Sequence, residues 1–211
     1  MKKTGKVDFN NKTCFIAGNP KFTLSYTDEK PTLPDGTRIS TLGFSNIEAE
    51  TIADKFKIKP YLKKEANKKN ILNSNADILH IATHGYYFEA KDESELYEEN
   101  PFYRSCIFVS GVNDWLINTN KDDNGIITAS DLYYSNLCDM ELIILSACSS
   151  GLGETNLAGG IIGMRTILKS LNAKFIILCL WEIDDLATAI FMNKLYDNIS
   201  RYPVAKALAE T

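Results

Sequence analysis

The chain has 211 residues, 45% hydrophobic and 24% charged, an ordinary globular balance sufficient for one sizeable core. A net charge of -4 argues against direct nucleic-acid binding, and no run approaches the roughly 18 apolar residues that a membrane span requires. The five cysteines are irregularly spaced and no signal-peptide pattern opens at Met1, so free thiols in a reducing cytoplasm are expected.

Met1 to Thr13 reads as a polar N-terminal segment, with the domain proper occupying 14–211. Cys14 to Ala17 is a short strand closed by Gly18-Asn19-Pro20, and a loop rich in Pro, Thr and Asp follows from Thr27 to Gly43. A helix is predicted from Asn46, with Ile47, Ile52 and Phe56 at helical spacing and Glu48 and Glu50 in the first turn, where the dipole favours acids. Lys57 to Leu62 reads as a second strand and Glu65 to Asn73 as a second helix. The lysines between 55 and 69 form a solvated face.

The third strand runs from Asp77 to Thr83 and ends at His84-Gly85, with His80 and His84 on one face. His80, inside the strand, is expected to be a hydrogen-bonded core residue. The two histidines have no third ligand near them, so no metal site is expected. Glu89 to Asn100 is an acidic loop, and Ser105 to Val109 with the residues after it supplies added strands. Asn120, Asp122, Asn124, Gly125, Ile127 and Asp131 approach a calcium-loop spacing. The first ligand is Asn and the twelfth is Asp, however, so a turn capping a helix over Thr128 to Tyr134 is the better reading.

Met140 to Gly151 organises the rest. Leu142 to Leu145 is unbroken apolar chain, suited to a strand buried on both faces, and it stops abruptly at Ser146-Ala147-Cys148-Ser149-Ser150-Gly151. Asn156 to Leu171 is a helix whose Gly159, Gly160 and Gly163 imply close packing on the sheet. Lys174 to Leu180 is the next buried strand, a helix runs on to about Ser200, and Pro203 starts a last helix. Strands alternating with helices give an α/β fold with a mostly parallel central sheet and helices on both faces.

In such a sheet the carboxyl ends of the strands border the ligand crevice. A cysteine delivered there behind a collar of small residues is placed to react, and His84-Gly85 ends another strand. Cys148 is therefore the candidate nucleophile and His84 its partner. The helix beginning near Asn156 would lower the thiol pKa if its amino end points at Cys148. The backbone N–H groups of Gly85 and Cys148 are the candidate oxyanion hole. Cys14, Cys106 and Cys179 read as core filler, and Cys138 as a loop or edge thiol.

ILHIATHG, NPFYRSCIFVSGVN, GIITASDL, LIILSACSSGLG and LWEIDDLATA, in that order, resemble the CHAT domain, a caspase-like cysteine peptidase domain related to separase, caspases and gingipains. The likeness runs from about Cys14 onward. It implies a caspase-like three-layer sandwich and an endopeptidase with His84 and Cys148 as its dyad, acting on a protein or peptide through a thioester, without cofactor or metal. It also implies a regulatory partner such as tetratricopeptide repeats. In separases the segment resembling LWEIDD helps form the pocket for an arginine at P1, the residue before the scissile bond. Here that segment carries Trp181, Glu182, Asp184 and Asp185, with Asp185 favoured by position and Asp184 second. The alternative for these acids is that they simply begin the next helix. Relative to the family pattern, the chain is expected to be truncated at both ends.

Two rivals stand beside this reading. One is a caspase-like module acting as a silent scaffold. The other is a nucleotide-binding domain built on Gly151-Leu152-Gly153-Glu154-Thr155-Asn156, whose third glycine is replaced by Asn156 and which lacks a Gly-Lys-Ser/Thr element.

Overall fold

The computed structural model describes residues 5–88, 101–117, 124–149, 157–179 and 183–211, with the backbone alone at Pro101, Cys148, Ser149 and residues 157–162. The acidic stretch 89–100, residues 120–123 of the calcium-like loop, the glycine run 151–156, Trp181 and Glu182 lie outside the described residues.

A seven-stranded sheet carries the fold. Five strands are parallel, in the order β2 (Tyr61–Lys63), β1 (Cys14–Pro20), β3 (Ile78–Tyr87), β6 (Leu142–Ser149) and β7 (Phe175–Leu178). β4 (Ser105–Phe108) runs antiparallel to the distal end of β3 and pairs in turn with β5 (Ile126–Thr128). Helices α1 (Ser45–Phe56), α6 (Asp185–Ile199) and α7 (Val204–Ala209) cover one face. On the other lie α2 (Lys68–Leu72), α4 (Ala129–Tyr133) and α5 (Leu157–Ser170). This is the mixed α/β architecture of a caspase-like sandwich.

Alternation along the two central strands explains their unbroken apolar character. Leu79, Ile81, Ile143 and Leu145 enter the core under α4 and α5, while Ile78, Leu142 and Ile144 enter the core under α1 and α6. With a helix layer on each side, both parities must be apolar.

Several boundaries differ from the sequence reading, each for a local reason. Gly18 lies inside β1, where a Cβ would stand 2.4 Å from the Ser45 carbonyl oxygen and 2.8 Å from Ala49 Cβ. The glycine therefore admits the first turn of α1 against the strand instead of closing a turn. β2 starts late because Lys57 takes a left-handed conformation (φ 56°) to end α1. β3 continues past His84 to Tyr87, since β4 supplies new antiparallel partners where β1 has left off. The short helix α3 (Val112–Leu116), entered through Gly111 at φ 92°, has too few residues to show a periodic signal. In the N-terminal segment Val7 is buried, Phe9 packs on Phe56, and Lys12 and Thr13 both donate to the Asp77 carboxylate. The Lys12 bond, chief among these, holds the Asp77 pKa at about 2.

Gly18→Ala is expected to lower stability by about 1–3 kcal/mol through overpacking between β1 and α1. The readout is a lower urea midpoint at constant m-value. An unchanged midpoint would mean that helix and strand do not approach this closely.

Candidate active site

The parallel ladder between β3 and β6 has eight register pairs, from Ile78–Leu142 to Gly85–Ser149, and His84 is paired with Cys148. Adjacent strands lie about 4.8 Å apart. The two residues are thus side by side on the penultimate rung, at the carboxyl edge of the sheet. Gly85, one rung on, sits between Ser149 of β6 and Ile107 of β4.

The imidazole of His84 is half-buried and oriented by two contacts. Its Nε2 is 2.8 Å from the carbonyl oxygen of Ser40, and the Phe22 ring lies 5.5 Å away, centroid to centroid, at 32°. A carbonyl only accepts, so Nε2 must carry a proton here. In the neutral ring Nδ1 is then the basic nitrogen, the atom able to take up a proton and give it back.

Helix α3 holds the chain segments that make both contacts. Asn113 Nδ2 donates to the Ile39 carbonyl (3.3 Å) and to Thr23 Oγ1 (3.0 Å), and the Asn113 N–H donates to the Phe22 carbonyl (3.0 Å). The Asp114 carboxylate accepts from the N–H groups of Leu24 (2.6 Å) and Ser25 (2.7 Å). Burial pushes the Asp114 carboxyl up, but these donors outweigh it and leave the pKa below its ordinary value. Sequence reasoning passed over Phe22, Ser40, Asn113 and Asp114. Their role comes from contacts between segments 44 to 90 positions apart, which no local pattern announces.

Below His84, on the same face of β3, His80 is fully buried, with Nε2 2.9 Å from Glu48 Oε1 and Nδ1 3.4 Å from the Tyr196 hydroxyl. Glu48 does lie in the first turn of α1, yet its carboxylate is turned into the core and not toward water. Burial pushes the Tyr196 hydroxyl pKa well up.

A cleft of about 470 Å³ opens beside His84, between the first turns of α1 and α6; Leu42, Glu48, Ser146, Asp184, Asp185 and Thr188 are among its lining residues. No lysine or arginine lines it among the described residues. The Ser146 hydroxyl is buried there without a hydrogen-bond partner. Asp184 is the N-cap of α6, accepting from the Ala187 N–H at 3.0 Å. Asp185 reaches across to α1, where its Oδ2 accepts the Phe44 N–H at 2.6 Å. Of the sequence-derived pocket acids, Asp184 and Asp185 therefore border the cleft and also cap helices.

Elsewhere, burial pushes the Cys14 thiol up to about 11 and the Cys106 thiol further still, so both are poor nucleophiles at neutral pH. Cys179 is half-buried and Cys138 exposed. No cluster of three or more metal-ligating side chains occurs among the described residues. Asp131 forms a capping box with Thr128 and a 2.9 Å ion pair with Lys68. No described helix is long and apolar enough to cross a membrane.

The family model described as CHAT domain matches residues 3–211. No curated protein and no solved structure matches the chain.

Glu48→Ala leaves the buried His80 Nε2 without its carboxylate partner and is expected to cost about 1–3 kcal/mol in stability. Chemical denaturation measures this directly, and a neutral result would mean that water replaces the carboxylate.

Proposed function

We propose that this chain, which belongs to the CHAT domain family, is a cysteine endopeptidase that cleaves a protein substrate through a thioester acyl-enzyme. The single observation that carries the reading is the shared rung of His84 and Cys148 at the carboxyl edge of the sheet. In this reading the Cys148 thiolate attacks the scissile carbonyl carbon, and the carbonyl oxygen becomes an oxyanion facing the N–H groups of Gly85 and Cys148. Collapse of the adduct breaks the C–N bond, and the leaving amine takes from His84 Nδ1 the proton that Nδ1 accepted when the Cys148 thiol ionised. Water then adds to the thioester. His84 accepts its proton, and the acid product leaves as the thiolate is restored. The Ser40 carbonyl keeps Nε2–H bonded throughout and supports the transient positive charge on the ring.

The cleft supports a basic P1 side chain. Among the described residues its ionisable lining is Glu48, Asp184 and Asp185 besides His84, with no lysine or arginine. Carboxylate oxygens not used in helix capping would pair with guanidinium or ammonium. A regulatory partner, tetratricopeptide-type or another sensor, would act by controlling access to this edge.

A peptidyl acyloxymethyl ketone with P1 Arg is the direct test. The expected outcome is a covalent adduct on Cys148, absent in Cys148→Ala, forming at least about tenfold faster than with P1 Glu. His84→Ala is expected to slow peptide turnover by about 10²–10⁴-fold. Absence of labelling with any P1 residue would leave the scaffold alternative in its place. Saturable binding of ATP or NAD without labelling would favour the nucleotide alternative.

A further inference from the structure

Ser40, whose carbonyl orients His84, lies in a stretch of chain without regular secondary structure before α1. A loop carbonyl can fix an imidazole only if the loop itself is fixed. Two clamps bracket this one. On the upstream side Asn113 Nδ2 donates to the Ile39 carbonyl. Downstream, the Phe44 N–H donates to Asp185 Oδ2 at 2.6 Å.

The downstream clamp has a further peculiarity. Phe44 is the N-cap residue of α1 and offers no side-chain cap of its own. The amino end of α1 instead receives a carboxylate from the first turn of another helix, a charge-assisted bond that also favours the helix dipole. α6 has its own cap in Asp184, so Asp185 is not needed there. Its bond ties α6 to the exact stretch that ends four residues after Ser40, and the chain from Ser45 onward is already seated on β1 through Gly18.

We propose that Asp185 is a positioning residue for His84: by holding Phe44 it fixes the Ser40 carbonyl, and the Ser40 carbonyl holds the imidazole with its proton on Nε2. This rests on the peptidase reading only for the consequence in turnover, and within that reading it moves Asp185 from substrate recognition to organisation of the dyad. Loss of the clamp frees the ring to exchange tautomers, and displacement of a reacting group by about 1 Å can cost on the order of 100-fold in rate.

Asparagine separates the two roles. Asp185→Asn keeps an oxygen that can accept the Phe44 N–H but removes the charge that a basic substrate would need, whereas Asp185→Ala removes both. Nitrogen-15 NMR of the imidazoles reads the effect without requiring turnover, and with only two histidines in the chain assignment is simple. Wild type and Asp185→Asn are expected to show neutral His84 protonated at Nε2, and Asp185→Ala a tautomer mixture. With P1-Arg and P1-Met peptides, Asp185→Ala is expected to lower kcat about 10- to 100-fold on both, with KM changed less than about threefold. Asp185→Asn should restore kcat to within about threefold of wild type.

An unchanged His84 tautomer in Asp185→Ala overturns the proposal. So does a KM increase confined to the P1-Arg peptide and shared by Ala and Asn, which would identify Asp185 as a substrate-reading acid. Should Asp185→Ala not fold, Asp185→Asn alone decides: retention of the Arg-over-Met preference supports positioning, and a loss of tenfold or more overturns it. A tautomer shift in a protein whose wild type turns over no peptide would leave the positioning role standing and remove the peptidase reading.

Discussion

The structure depends on the pairing of β3 with β6. Its eight consecutive register pairs join two strands buried on both faces, so a one-residue slip would exchange the residues facing α1 and α6 with those facing α4 and α5. Most of those positions are apolar, yet the exceptions make the register consequential. His80 has polar partners only under α1 and α6, and the rung that brings His84 beside Cys148 exists in one register alone. Packing and chemistry thus rest on the same alignment.

A polar layer is built into the apolar one. Glu48, His80 and Tyr196 come from α1, β3 and α6, so one buried network joins the three elements that bound the cleft. Buried polar groups are tolerable when satisfied and costly when not. In this core the network fixes how the two helices sit over the strand, which hydrophobic contact alone specifies loosely. The cleft owes its shape to that placement, and its lining retains one buried hydroxyl, at Ser146, without a partner among the described residues.

Much of this was legible beforehand. The apolar run at Leu142 to Leu145, with strands and helices alternating on either side, announced a parallel sheet. The place of Cys148 next to the end of its strand followed from the same pattern, whereas His84 lies three residues inside β3. β3 was longer than expected because its extension is antiparallel, and that depends on β4, a partner the local pattern around Tyr86 does not reveal. Glu48 is the first-turn acid that the sequence suggests, favoured by the helix dipole, but helical spacing gives no sign of its buried partner His80. The surroundings of His84 were the least legible part. Ser40, Phe22 and Asn113 act through backbone carbonyls and a side-chain amide, and such contacts leave no trace in hydrophobic periodicity.

The docking of the first residues has a practical corollary. The Val204 N–H donates to the Gly5 carbonyl, Asp8 reaches Glu141, and Lys12 and Thr13 fasten onto Asp77 just ahead of β3, all at the amino margin of the sheet. Thr211 folds back onto Lys194 and Asn198 of α6. The parallel strands run away from the Asp77 and Glu141 contacts toward the rung of His84 and Cys148, so these fastenings lie at the margin of the sheet opposite that rung. A reporter or affinity tag fused at the amino end is expected to leave that rung uncovered. A neighbouring domain attached there must reach around the molecule, or act through its interior, to influence what happens on the far side.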